Sequence, residues 1–377
     1  VEWACDETGQ PVSVLRGGVF ASGTDDLTDL RSLADDIGER SSSARIGHRA
    51  LPDPLDTTAW QHLQDAGLTR LLSTPDSGGG AREAAVVLRS LARHAVSVPV
   101  AETDVLAGWL AAAAGIEAPP NGPLTVAAGE ARRSGGRIVA EVPAVPYAAD
   151  CAAVVLALRD GGRLMVAVRD PAALSITRGH NAGGEGRDTV SVDEGYDDFA
   201  AADGEQELVR RGAWARCVQI IGALDAAVEF SVAHVREREQ FGRPLSEFQA
   251  VQHALAAMAG DVERARAATD LAVAAAADFG FDSPQTDYAV TVAKVALGQV
   301  VPSVVTTAHQ LHGAIGVTIE HRLWLATMRA RSWVDEFGDT AGYAQRLGRL
   351  ALSAADPWDV IVGAPTDPVP PRLHPGR

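Results

Sequence analysis

Cysteine, methionine, aromatic side chains and positive charge are all scarce in this chain. Its 377 residues include three cysteines, Cys5, Cys151 and Cys217, far apart in sequence. That spacing makes neither a disulfide framework nor a metal-ligand pattern, as expected of a protein kept in a reducing cytoplasm. Aromatics make up 5% of the chain, and 33 Lys and Arg face 49 Asp and Glu. The resulting net charge of −16 argues against nucleic acid or an anionic membrane as a partner. No run approaches the ~20 uninterrupted apolar residues of a membrane span. The first ten residues, VEWACDETGQ, have neither the basic start nor the apolar core of a signal peptide. No internal repeat is visible. These absences lead to the expectation of a soluble, cytoplasmic protein with no metal, no nucleic-acid partner and no membrane partner.

What is present is alanine, and apolar residues amounting to 46% of the chain. Such a composition favours helix, and the length allows two or three packed units. The pattern divides the chain. An extension covers 1–23, and a helical region covers 24–120. Its first helix carries Leu27, Leu30, Leu33 and Ile37 at steps of three and four, and Thr57 or Thr58 is placed to cap a second. The glycines Gly78, Gly79 and Gly80 suggest a phosphate cradle, but they lack the lysine of a P-loop and read better as a plain loop. From 121 to 203 short Val-, Ile- and Leu-rich runs alternate with turns. They are 124–128, 137–142, 151–158, 163–168, 174–177 and 189–192, with Gly135-Gly136 and Gly161-Gly162 at hairpin positions. A small antiparallel β domain is the expectation. Long helical patterns return over 204–353, with segments at 206–240, 246–279, 285–312, 321–333 and 339–353, as in a helix bundle. A proline-rich tail, 354–377, follows.

The segment R-E-R-E-Q-F-G-R-P-L-S-E-F-Q-A-V-Q-H, residues 236–253, is a helix, a stop and a helix start. Before it, Val209, Ala213, Cys217, Ile220, Leu224, Val228, Val232 and Val235 mark one buried helical face. Gly242 suits a left-handed C-terminal position, Pro244 blocks continuation, and Ser246 with Gln249 spells a capping box. On these grounds alone it is a helical hairpin with a charged elbow. Its residues, however, resemble the R-x-x-F-G-x-x-L-x-x-x-Q signature of the acyl-CoA dehydrogenase family. The resemblance extends to D-A-G-L-T-R-L-L-S-T-P-D-S-G-G-G and P-V-A-E in the first region. It also extends to H-Q-L-H-G-A-I-G-V-T-I-E, residues 309–320, which is similar to the family's Q-x-x-G-G-x-G-x-x-x-E. It implies a mainly α protein with an N-terminal helical domain, a middle antiparallel β domain and a C-terminal four-helix bundle. It further implies FAD as cofactor, with Arg238, Gln240, Phe241, Gly242, Gln249, Gln310, Gly313 and Gly316 as cofactor-binding residues facing a neighbouring subunit's flavin.

The resemblance also implies a chemistry, abstraction of an acyl-CoA α-proton by a carboxylate and hydride transfer to the flavin, with Glu320 as the catalytic base. The family's other location for that base falls at Gly212, just after Arg210 and Arg211, where no carboxylate stands. Two other readings of 309–329 remain. His309, His312 and His321 could be metal ligands, or Glu320 could be a solvated carboxylate paired with Arg322 or Arg329. The middle region lacks the family's flavin-contacting L-T-E-P-x-x-G-S-D and is short. A reduced β domain beside intact C-terminal motifs resembles one subunit of actinobacterial heteromeric (α2β2) members that act in sterol and side-chain degradation. The partners so implied are an acyl-CoA substrate, a homologous acyl-CoA dehydrogenase subunit and an electron-transfer flavoprotein. Two alternatives stand beside a catalytic subunit: a non-catalytic subunit completing its partner's FAD site, and a flavin oxidase or monooxygenase on the same fold.

Overall fold

The computed structural model describes residues 27–45, 51–74, 78–318, 321–354 and 356. The first layer is helical: α1 (Thr28–Ala44), α2 (Thr57–Asp65) and α3 (Ala81–Arg93), then a π-helical stretch, Ala101–Gly108, that runs into α4 (Trp109–Ala113). The cap of α2 is Asp56, whose side chain accepts from the Ala59 amide, and not Thr57 or Thr58. A carboxylate one residue earlier meets the free amides of the first turn, leaving both threonines inside the helix. Glu83 reaches back to the Gly80 amide at 2.7 Å to start α3, so the glycine run ends as a helix cap. The α1 face that packs inward is Ala34, Ile37, Gly38, Ser41 and Ser42, whereas Leu33 is exposed. Buried Asp104 ties this layer together, its carboxylate accepting from the backbone amides of Leu71, Leu72 and Ser73 at 2.8–3.1 Å. Burial raises its pKa, and those amides partly oppose the rise.

The middle layer holds two four-stranded sheets. One has the order β1 (Leu124–Glu130), β4 (Ala153–Asp160), β5 (Arg163–Arg169) and β8 (Ala200–Ala202). The other has β2 (Arg132–Ser134), β3 (Arg137–Pro146), β7 (Arg187–Gly195) and β6 (Ser175–Thr177). Gly135-Gly136 and Gly161-Gly162 turn two-residue hairpins between Ser134 and Arg137 and between Asp160 and Arg163. The expectation of an all-antiparallel region needs correction, because β1 and β4 pair in parallel. The chain leaves the first sheet to build β2 and β3 of the second, and it re-enters running the same way. Strand β2, Arg-Arg-Ser, had no apolar alternation to reveal it and is set by its hairpin register. Ile138, Val142, Val154, Leu156, Leu158, Met165, Val190 and Val192 fill the space between the sheets. The opposite face of the first sheet, through Leu124, Val126, Val155, Leu164 and Val166, joins the core of the helices. Strand β4 is therefore covered on both faces, and its sequence reads as a continuous apolar run for that reason.

The last layer is the bundle: α5 (Glu205–Glu237), α6 (Gln249–Phe279), α7 (Pro284–His312), α8 (Arg322–Trp333) and α9 (Thr340–Ser353). Helix α5 lies at the centre and touches α3, α6, α7 and α8. From Gly212 to Ala227 it is apolar on nearly every face, as a helix surrounded by others must be. By length and composition, the helices at Glu205–Glu237 and Pro284–Val317 are apolar enough to cross a membrane, yet both serve as core helices here. Trp214 is wholly buried, its indole N–H donating to the Ala272 carbonyl and its ring edge-on to Phe281 at 5.2 Å. Cys151 and Cys217 are buried free thiols.

Helices α3 and α5 meet so closely at Gly222 that a Cβ there would lie 2.2 Å from the Arg89 carbonyl oxygen. Backbone cannot rotate away as a side chain can, so Gly222→Ala must part the two helices. The expected cost is about 1–3 kcal/mol, read as a fall of several degrees in Tm by calorimetry. An unchanged Tm would contradict this packing.

Candidate functional site

The elbow after α5 is a miniature hairpin. Strands β9 (Glu239–Gln240) and β10 (Arg243–Pro244) pair Gln240 with Arg243, and Phe241 and Gly242 form the turn with φ of 54° and 81°. Gly242 is thus left-handed, as the sequence suggested, but in a two-residue turn of the primed type and not as the residue ending α5. The Ser246–Gln249 capping box does not form. Extended Pro244 leads into a single 3₁₀ turn, Leu245–Glu247, and α6 starts at Gln249 behind Phe248. The informative residue is Phe241. It is an aromatic in the left-handed region with 92% of its surface exposed, and among the described residues its ring neighbour is Phe248, edge-on at 6.1 Å. An apolar ring held outward at a conformational cost suits contact with something outside the chain. The side chains of Arg238, Gln240, Gln249 and Gln310 are also exposed, and among the described residues they form no hydrogen bond or ion pair.

The second motif meets the first through a stack of imidazoles. His312, the last residue of α7, lies face to face with His234 of α5 at 4.4 Å and edge-on to His321 at 5.0 Å. His234 sits one turn before Arg238 and accepts its amide, so the elbow and the Gly313–Val317 turn leave the same end of the bundle. Gly313 has φ 63° and ψ −144°, open to glycine alone, and buried Gly316 presses on the His312 Cβ. His309 and His312 do not converge on a metal position. His309 Nε2 meets the Thr327 hydroxyl at 2.9 Å, and His312 Nδ1 meets the Ala308 carbonyl at 2.8 Å. Among the described residues no group of three metal-ligating side chains is assembled. Glu320 lies outside the described residues. Arg329, offered above as its partner, is buried and committed to Asp53, Ser97 and the Val96 carbonyl. Arg322 turns to Ser42 and Glu39.

Sequence reasoning missed the interior junction of the three layers. Arg216 of α5, 2% exposed, donates from Nη2 to Glu102 of the π-helical stretch at 2.6 Å, from Nε to Glu336 at 2.6 Å, and from Nη1 to Gln219. Arg187 of β7 donates to the other Glu336 oxygen at 3.0 Å and to Glu185 at 3.3 Å. Trp333 Nε1 also donates to Glu185, at 2.8 Å. Glu336 points inward because its turn is pinned. Lys294 Nζ donates to the Val334 and Glu336 carbonyls, and the Tyr343 hydroxyl donates to that of Phe337, whose φ is positive. Burial works against the Glu336 carboxylate, but Arg216 and Arg187 outweigh it and hold its pKa below the usual range. What remains open at this junction is a void of about 10 Å³ among Leu88, Leu91, Val98, Tyr147, Gln219 and Trp333. Gly212, one turn before Arg216, packs on the Phe337 ring so tightly that a Cβ would lie 2.3 Å from it. Larger concavities lie elsewhere. A groove of about 730 Å³ opens on the outer face of the second sheet, and a polar cleft of about 180 Å³ runs beside Glu39, Arg93 and Arg322.

Residues 206–338 match the family model described as acyl-CoA dehydrogenase, C-terminal domain. Over this region the chain is similar to the acyl-CoA dehydrogenase family. It is 29% identical over 143 residues to acyl-CoA dehydrogenase IpdE2 of Mycolicibacterium smegmatis, covering 38% of this chain and 43% of that one. It is 38% identical over 96 residues to 3-sulfinopropanoyl-CoA desulfinase of Paraburkholderia xenovorans, covering 26% and 24%. The alignments thus span less than half of these curated relatives. Among solved structures, the ChsE4–ChsE5 complex from Mycobacterium tuberculosis superposes with a TM-score of 0.76 at 22% identity, covering 88% of this chain and 99% of that one. A variant of the Tcur3481–Tcur3483 steroid ACAD gives 0.73 at 25%, covering 87% and 98%. Acyl-CoA dehydrogenase architecture therefore extends well beyond the matched C-terminal region, and the family is one of oxidoreductases.

Within that architecture the ion-pair junction is the feature most open to test. Arg216→Met strands the buried Glu102 carboxylate and removes one of the two cations on Glu336, an expected cost of about 3–5 kcal/mol, or roughly 10 °C in Tm. The Glu336 pKa lies below its ordinary 4.5. Its stabilisation is therefore complete above that pH and is lost as the pH falls through the lower folded value. Denaturant titrations from pH 6 to pH 3 should show that loss in the wild type and a flatter profile in Glu336→Gln.

Proposed function

We propose that this chain is a subunit of an FAD-dependent acyl-CoA dehydrogenase in which it completes the flavin site of a neighbouring subunit, the dehydrogenation of an acyl-CoA to its 2-enoyl-CoA taking place in that neighbour. The observation that carries this reading is the filled junction around Arg216. An acyl-CoA or flavin pocket needs hundreds of cubic ångströms, and this interior offers room for about one water molecule. The alternative base position is closed as well, since Gly212 cannot accept even a Cβ.

The outward side fits a flavin nucleotide far better. Phe241 offers an apolar ring, Arg238 a free guanidinium suited to phosphate oxygens, Gln240, Gln249 and Gln310 offer amides, and Gly313 gives an open backbone. The bound flavin would supply the hydride acceptor that no side chain can provide. This chain's residues would grip and orient the cofactor and shield one edge of it from water. Heteromeric assembly gains support from two superposing structures named for pairs of chains, one of them a steroid ACAD. A bulky sterol-derived or branched acyl group, electron transfer to an electron-transfer flavoprotein and a cytoplasmic location belong to the same proposal. The desulfinase shares part of the C-terminal region, so the elbow itself is common to more than one reaction of CoA thioesters.

Purified alone, the full chain is expected to be colourless and to leave acyl-CoA unbound in calorimetric titration. Purified with a catalytic subunit, the pair should show a flavin band near about 450 nm that acyl-CoA bleaches. In that pair, Phe241→Ala or Arg238→Ala should release FAD roughly tenfold more readily while leaving the Tm of the chain unchanged, because both side chains are exposed. A chain that carries FAD by itself and is bleached by acyl-CoA would overturn the proposal.

A further inference from the structure

The imidazole stack has a geometry that favours neutral rings. The Ala308 carbonyl can only accept, so in the neutral ring His312 Nδ1 carries the proton. The reverse holds at His321, whose Nδ1 accepts from the Leu323 amide at 3.1 Å and caps α8. A second proton on His321 turns that acceptor into a donor facing an amide, and the cap is lost. Once one ring carries a proton, a second proton on a neighbouring ring places like charge within 4.4–5.0 Å.

We propose that His234, His312 and His321 form a neutral imidazole stack that positions the glycine turn and the start of α8 beside the elbow, and that protonation of the stack releases them. The assignment rests on the flavin-completing role argued above, because the released segments are those that would meet a neighbouring subunit's cofactor. The surroundings of all three rings favour neutrality. For His321 burial comes first, then His312, His234 and His309, and every one lowers its affinity for a proton. Burial dominates at His312 as well, opposed by the Ala308 and Phe230 carbonyls. At His234 burial, His312 and Arg238 act together against Glu237. The fourth ring, His309, is held low by burial, then by His312 and Arg331. In the unfolded chain all four take protons at an ordinary histidine pKa near 6.5. The folded arrangement therefore weakens as the pH falls below that value, and it is intact above.

Hydrogen exchange of the full chain, corrected for intrinsic rates, reads this directly at the first turn of α8 and at Gly313–Thr318. Between pH 7.5 and pH 5 protection there is expected to fall about fivefold, with the sheets unchanged. Asparagine also caps a helix but does not titrate. His321→Asn should therefore keep protection at pH 7.5 and lose most of its pH dependence. His234→Gln removes one repelling neighbour and should move the transition towards neutral pH, which provides a second arm if the first variant folds poorly. Exchange that is flat with pH in the wild type, or an unaltered profile in both variants, overturns the proposal. Flavin retention by the assembled pair, measured over the same range, should fall at the same midpoint. Exchange that responds to pH with flavin retention that does not would overturn the link to the cofactor, and with it the flavin role of this turn.

Discussion

The structure depends on one buried guanidinium. Arg216 ties the N-terminal helices to the bundle through Glu102, and it ties both to the turn before α9 through Glu336. That turn in its turn holds Arg187 of the sheet. Three layers built from segments more than a hundred residues apart thus meet at one point of charge. Such a cluster is poor evidence for stability as such, since well-packed apolar residues often serve as well. Its effect is to fix how the layers sit against each other and to leave almost no empty space between them.

At this junction the interior is occupied by the protein's own charges, and the void left there is of about 10 Å³. The chemistry-bearing motifs lie instead at the end of the bundle. There Phe241 and the unengaged side chains of Arg238, Gln240 and Gln310 face outward. A left-handed, solvent-exposed phenylalanine makes little sense for an isolated chain. It makes good sense for one face of a site shared between subunits.

Much of the architecture was legible because it is written in local periodicity. The helices of the bundle followed from steps of three and four, and the two glycine pairs announced their hairpins at the right positions. Misreadings arose where a neighbouring residue overrode a local signal. Asp56 displaced Thr57 as a cap, Pro244 pushed the start of α6 past Ser246, and the β1–β4 pairing ran parallel because two strands of the other sheet intervene. The site motifs were equally legible as patterns, being contiguous runs whose order carries the resemblance.

The sequence by itself determined the helices, the hairpins and the family resemblance, since each depends on residues close together along the chain. Only the tertiary structure decided which of the motif residues face outward and which side chains are buried together. Glu102, Arg187, Arg216 and Glu336 are unremarkable as letters, and they become a plug only when four elements converge in a medium that leaves no charge unpaired. The same holds for His234, His312 and His321, ordinary until α5, α7 and α8 end side by side. Burial and proximity are properties of the fold, and through them common side chains acquire their particular chemistry.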